Sequence, residues 1–502
     1  MLSLLVFFPL VVAAVLALAR RMPPRVATGA WVGAAILETA LTLVVVLGGS
    51  GAGTGAAGTG KDLAWEERIA WMPGVGASYH VGVDGLSTPL LLLTAVTFLA
   101  CALWSLRDPD RPRQLAALFL FLQSVTVGTF VAQDLILFFI FFDLSIVGMY
   151  FVIAGWGHGD RRRSALRFFL YTFLGSLALL LGFIALYLGA SPRTFDIPEL
   201  IRAGSLAATP GLAIAALVAI VIGLAIKTPT IPFHTWLPPA HTDAPTTGSV
   251  VLAALLLKLG TYGFVRVAMP LLPEAWRALA PVVVAIGIVS VLLGALLALA
   301  QTNVKRMIAY TSINHMGYVV LAVGAAGLAG TDAVAARLAI TGAVVQMVSH
   351  GLITGALFFL AGALRDRGGS YELGDYGGLA AVAPRYSAMF AVAAFASLGI
   401  PGLSGFIAEF QIFAGSIGAA GVVAVALPGI LITAALFLRA IQRLLTGEVA
   451  GRAQGFTDLG RRETAVVGGL LVLSLLIGVL PGPLLALIEP ASAQLAALLG
   501  GS

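Results

Sequence analysis

Apolar residues in this chain run in long windows, without the strict alternation of a half-buried strand or the one-sided spacing of a surface helix. Between clusters of charged and turn-forming residues, fourteen such windows are read, near 2–19, 26–48, 85–105, 114–132, 135–155, 164–189, 211–232, 247–269, 279–300, 306–328, 333–362, 385–412, 418–440 and 464–486. A helix crossing a bilayer needs roughly 20 apolar residues. A lipid-facing chain must also satisfy its backbone groups internally. The pattern therefore predicts an all-α polytopic membrane protein with about fourteen spans. The first window does not read as a cleaved signal peptide, because no basic segment precedes it and Arg20 and Arg21 follow it.

Composition agrees. Of 502 residues, 59% are hydrophobic and 10% charged, against about 25% charged in a soluble domain, so a water-facing surface cannot be covered. The 59 glycines suit close helix packing in a membrane. A single cysteine, Cys101, excludes a disulfide framework and cysteine-ligated zinc or iron–sulfur clusters. The net charge of +6 does not point to nucleic acid, because the basic residues are scattered between apolar windows. Assigning loops alternately to two sides puts 20 of the 29 basic residues after odd-numbered spans and 7 after even-numbered ones, with Lys227 and Lys258 inside spans. Lysine and arginine accumulate on the cytoplasmic side, so both termini are expected on the non-cytoplasmic side.

The loop at 48–60 contains Gly53-Thr54-Gly55-Ala56-Ala57-Gly58 and, overlapping it, a near P-loop ending Gly60-Lys61-Asp62. Neither follows a strand, and Asp62 stands where a P-loop needs serine or threonine. A flexible outward linker is the expected role.

Charges at membrane depth are more informative. A lone charge at the bilayer centre costs at least ~2.5–3.5 kcal/mol, so such residues usually face a polar interior and carry function. Asp143 lies in span five, Lys227 in seven, Lys258 in eight and Glu409 in twelve, with His315 in ten and His350 in eleven. Glu38 in span two lacks a visible set of partners and is expected to serve packing. The alternation of signs matters most. Burial and an approaching or withdrawing opposite charge shift proton affinity in opposite senses, which is what a proton relay requires. A structural ion pair or carbonyl-bonded core histidines are the plainer alternatives.

Two spans are interrupted at comparable places. Span seven ends in Lys227-Thr228-Pro229-Thr230-Ile231-Pro232-Phe233-His234, and span twelve contains Gly399-Ile400-Pro401-Gly402-Leu403-Ser404-Gly405. Proline removes a backbone donor and breaks the helix. Paired breaks in two halves point to an inverted-repeat transporter. Spans four to eight (111–270) and nine to thirteen (271–443) form two sets of five, each broken in its fourth member. An odd number of spans per set forces opposite orientations. Residues 1–110 then hold the first three spans, and 444–502 hold the last span and a tail.

The long run from Lys227 through His241 and Asp243 to Ser249 resembles the antiporter-like proton-channel subunits of respiratory complex I and of multi-subunit cation/proton antiporters. So do the stretches Gln301–Gly317 and Gly399–Phe410. The similarity extends from about Asp84 to Arg443. Within the family the chain looks most like the M type, which carries glutamate, here Glu409, where sibling subunits carry lysine. With few residues after span fourteen, it is expected to be without the long lateral helix of the L type.

The resemblance implies a modulating pair at Asp143 and Lys227, a central lysine at Lys258, linking histidines at His315 and His350, and a terminal proton residue at Glu409. Pro229, Pro232, His234, His241, Pro401 and Gly402 are the matching broken-helix and supporting positions. It further implies proton movement outward across the inner membrane, coupled to quinone reduction in a NADH:quinone oxidoreductase. The chain would hold no cofactor of its own; FMN, iron–sulfur clusters and quinone would sit on partner subunits, with L-type and N-type subunits on either side. The family's usual residue at position 143 is glutamate, so aspartate leaves open a longer or water-bridged pair with Lys227. A cation/proton antiporter subunit and a spacer with an inactive channel are the other readings.

Overall fold

The computed structural model describes residues 1–19, 21–49, 63–106 and 110–500. The glycine-rich motifs at 53–62 lie outside the described residues. The windows fold as helices Leu2–Leu18, Pro24–Gly49, Thr88–Trp104, Pro112–Val131, Leu135–Trp156, Arg161–Gly189, Pro210–Lys227, Thr246–Leu271, Pro273–Leu299, Val304–Ala326, Ala333–Gly368, the split pair Pro384–Ser397 and Ser404–Ala419, then Pro428–Leu444 and Arg461–Val479. Eleven described helices are individually long and apolar enough to cross a bilayer. Windows one and three fall outside that number because their helices are 17 residues long. Window ten falls outside because its helix carries Asn314 and His315, and window twelve because it is split.

Two features depart from the sequence reading. Window 464–486 runs across two helices. The first ends at Val479, Pro481 offers no backbone donor to continue it, and Gly482–Gly500 begins afresh. That last helix lays a stripe of Ile488, Ala491, Ser492, Leu495, Ala496 and Leu499 against neighbours that include Ala333–Gly368. The second departure is a β-hairpin, Ala64–Met72 paired antiparallel with Ala77–Val83, in what read as an outward loop. Its His80 ring is held between Asp196 Oδ2 at 2.6 Å and Glu66 Oε1 at 2.8 Å. After it, Asp84 accepts from Arg266 of span eight at 2.5 Å. Arg266, counted with the loops, is thus a buried anchor.

Glycine sets the helix spacing. At Gly287 of span nine an added Cβ would lie 2.6 Å from the Leu321 backbone, and at Gly317 of span ten 2.8 Å from Val291 N. Gly294 and Gly324 continue this seam one heptad further along each helix. Without water to drive association, membrane helices rely on such contacts. Spans eight and eleven end up at the centre, enclosed by protein over 18-residue stretches. These two helices carry Lys258 and His350.

Candidate functional site

The first broken helix begins the site. Pro210–Lys227 ends at the lysine itself, where the helix dipole favours a cation. The backbone groups freed by the break find partners: Trp236 Nε1 donates to Ile226 O at 2.9 Å, Thr230 N to Ala225 O at 3.1 Å and Ile231 N to Ser290 Oγ at 3.0 Å. Irregular backbone at membrane depth persists only when satisfied in this way. Span eight packs directly on the break through Gly260, whose added Cβ would lie 2.4 Å from Thr228 Oγ1.

Lys227 is buried and donates to Ser145 Oγ at 2.9 Å, with its ammonium 4.7 Å from the Phe142 ring centre. No Asp143–Lys227 ion pair within 4.0 Å occurs among the described residues. Asp143 Oδ1 is buried without a hydrogen-bond partner. The shortened acid therefore stands near the lysine but does not grip it, and Ser145, which the sequence reading passed over, takes the contact.

Span eight is not a plain α-helix around its lysine. Leu252–Leu256 and Phe264–Ala268 are π-helical turns on either side of Leu257–Gly263. Such bulges are frequent at functional sites and shift carbonyls off the straight ladder. Lys258 is wholly enclosed and donates to Ala253 O at 2.7 Å and His350 Nδ1 at 2.5 Å. The His350 and His315 rings then meet edge to face at 5.5 Å, each with a buried Nε2 lacking a protein partner. Lys258, His350 and His315 thus come together as one chain. His241 stacks on Phe358 at 4.6 Å with both ring nitrogens unpartnered, and His234 lies 6.5 Å from Tyr310.

Glu409 stands apart from this chain, with no hydrogen bond to either histidine among the described residues. It sits on the second half of the split span, beyond a break where Gly399 (φ +67) and Gly402 (φ +95) hold left-handed backbone. Its carboxylate folds over Gly399, where an added Cβ would meet Oε2 at 2.5 Å. Buried Thr341, Gln346, Gln411 and Ser416 in the helices around it each present a polar atom without a protein partner. Of the remaining expectations, Glu38 is buried with both carboxylate oxygens unpartnered. Lys305, counted with the loops, is buried and donates to Ala244 O at 2.5 Å.

The fold has known counterparts. A family model described as NADH:quinone oxidoreductase/Mrp antiporter, TM, matches residues 132–436. The chain belongs to that family. Among its relatives, NADH-quinone oxidoreductase subunit M of Rhodobacter capsulatus is 36% identical over 99% of this chain and 96% of its own length. F(420)H(2) dehydrogenase subunit M of Methanosarcina mazei is 37% identical over 88% of each. A chain of respiratory complex I from Thermus thermophilus with bound NADH superposes over the full length of both, with a TM-score of 0.89 and 30% identity. The family match spans both breaks and all six ionisable residues singled out by depth.

Proposed function

We propose that this chain is the M-type proton-translocating subunit of a complex I-type NADH:quinone oxidoreductase. The observation that carries the reading is Lys258. A fully enclosed lysine, bonded among the described residues only to a π-bulge carbonyl and an imidazole, is a costly structural choice and an apt relay, since its neighbours are further imidazoles. Quinone reduction elsewhere in the complex would move Asp143 relative to Lys227 and change the lysine's hold on its proton. The proton then passes by Lys258, His350 and His315 towards Glu409. The helices that carry His350 and Glu409 also hold buried, unpartnered hydroxyl and amide groups of the kind that ordinarily bind water.

The excess of basic residues after odd-numbered spans, 20 against 7, supports outward transport with both termini on the non-cytoplasmic side, and the inner membrane is the proposed location. L-type and N-type subunits are the proposed neighbours. The redox groups, FMN, iron–sulfur clusters and quinone, belong to partners, and this chain contributes proton transfer without a redox centre. One relative serves a dehydrogenase named for F(420)H(2), which accords with an electron donor chosen by other subunits.

Proton pumping by the intact complex in sealed vesicles, with Lys227→Ala or Lys258→Ala, tests the reading. Loss of pumping with normal assembly is expected, and unchanged pumping sinks it. Pumping that depends on sodium would favour the cation/proton antiporter reading instead.

A further inference from the structure

Three serines from three helices meet at the second break. Ser349 precedes His350 on Ala333–Gly368, Ser404 opens the second half of the split span, and Ser474 lies on Arg461–Val479. Ser404 Oγ is 2.8 Å from Ser349 Oγ and 2.7 Å from Ser474 Oγ, and Ser404 N donates to Ser474 Oγ at 3.4 Å. All three residues are buried.

This pattern is unusual for hydroxyls inside helices, which tend to fold back on the carbonyl four residues earlier, as Thr126 and Thr172 do here. Ser404 starts its helix and has no such carbonyl, so its side chain instead joins two other helices. The last of these lies hard against the break: at Gly478 an added Cβ would be 2.3 Å from Gly402 O. Glu409 follows five residues after Ser404, about 7.5 Å along the same half-helix.

We propose that Ser404 is a positioning residue. Clamped between Ser349 and Ser474, it sets the height of the half-helix that carries Glu409 relative to the helix that carries His350. Passage of protons between the histidines and Glu409 then depends on this three-hydroxyl clamp. The inference rests on the transport reading above and adds a residue to it. The clamp is also coupled through its protons. Ser404 has one proton to give, so at least one of Ser349 and Ser474 donates to it, and a turn of that hydroxyl is felt at Ser404.

The test is the proton-to-quinone ratio of the intact complex in liposomes carrying Ser404→Ala, Ser404→Thr, Ser474→Ala or Lys258→Ala, with subunit content checked. Ser404→Ala removes both side-chain contacts and should lower the ratio at least roughly two- to tenfold, the population change that even one lost buried hydrogen bond implies, and alter the pH profile of pumping. Ser404→Thr, which keeps the hydroxyl, should restore much of the loss. Unchanged pumping in Ser404→Ala, or a Thr variant as defective as Ala, overturns the proposal. If Ser404→Ala does not assemble, Ser474→Ala removes one arm of the clamp and carries the same expectation. A silent Ser404→Ala beside a dead Lys258→Ala refutes the clamp alone, whereas a silent Lys258→Ala refutes the transport reading itself.

Discussion

Lys258→Met separates a relay lysine from a structural one. Methionine keeps the length and most of the apolar stem while deleting the ammonium. The lysine is wholly enclosed and bonds Ala253 O at 2.7 Å and His350 Nδ1 at 2.5 Å. No carboxylate pairs with it within 4.0 Å among the described residues. Holding an ammonium away from water costs several kcal/mol, and methionine of similar volume removes that cost. Against that, the His350 nitrogen and the Ala253 carbonyl left without this donor cost about 1–3 kcal/mol each. The two nearly cancel, so thermal unfolding of the solubilised complex and its subunit content should change little. Proton pumping per assembled complex, followed by lumen acidification in liposomes, should nonetheless be lost. A structural lysine gives the opposite pair of results: a destabilised complex whose remaining assembled fraction pumps normally. That outcome would refute the reasoning.

Three further perturbations probe the flanks of the site. Ser145→Ala removes a hydrogen bond to a charged group worth about 1.5–3 kcal/mol and should slow pumping; in an Asp143→Glu background, where the longer acid reaches about 1.5 Å further towards Lys227, the loss should be smaller, and equal losses in both backgrounds would contradict the geometry. Gly399→Ala meets left-handed backbone, costing about 1–2 kcal/mol, and displaces the Glu409 carboxylate; Gly402→Ala meets only the backbone penalty, since its Cβ would have open space, so pumping should fall more in the first, and equal pumping would count against the fit. Asp84→Asn strips the buried Arg266 of its partner and should loosen the hairpin by about 3 kcal/mol, seen as faster proteolysis of residues 64–83. Burial pushes the Asp84 carboxyl up, but Arg266 and the Ser87 and Leu86 amides hold it below the usual range. Its contribution to docking is therefore full above the free carboxyl value and lost as pH falls through the lowered one, below about pH 4; an acid transition unchanged in Asp84→Asn would contradict this.

How much was legible in the sequence depends on the physics of each feature. Spans are long-range averages of hydropathy, so the helices emerged with boundaries a few residues off, and both breaks were announced by proline and glycine. The charged residues at depth were visible because lipid makes them conspicuous. Three kinds of feature were hidden. Residues 64–83 alternate too weakly against their apolar surroundings to read as strands, since packing on spans one, two, four and five holds them. The π-turns beside Lys258 leave no mark in local propensity. Ser145, Ser404 and Ser474 are ordinary residues until the fold brings them against Lys227 or one another. The same limit explains Lys305 and Arg266, which lie at span ends and are buried only because neighbouring elements close over them.

The central claim is that protons cross this chain through its buried lysines. The most direct measurement is proton pumping per assembled complex in sealed liposomes, comparing Lys227→Ala with the unaltered chain at matched subunit content. Loss of lumen acidification is the predicted result; acidification at the unaltered rate would contradict the account.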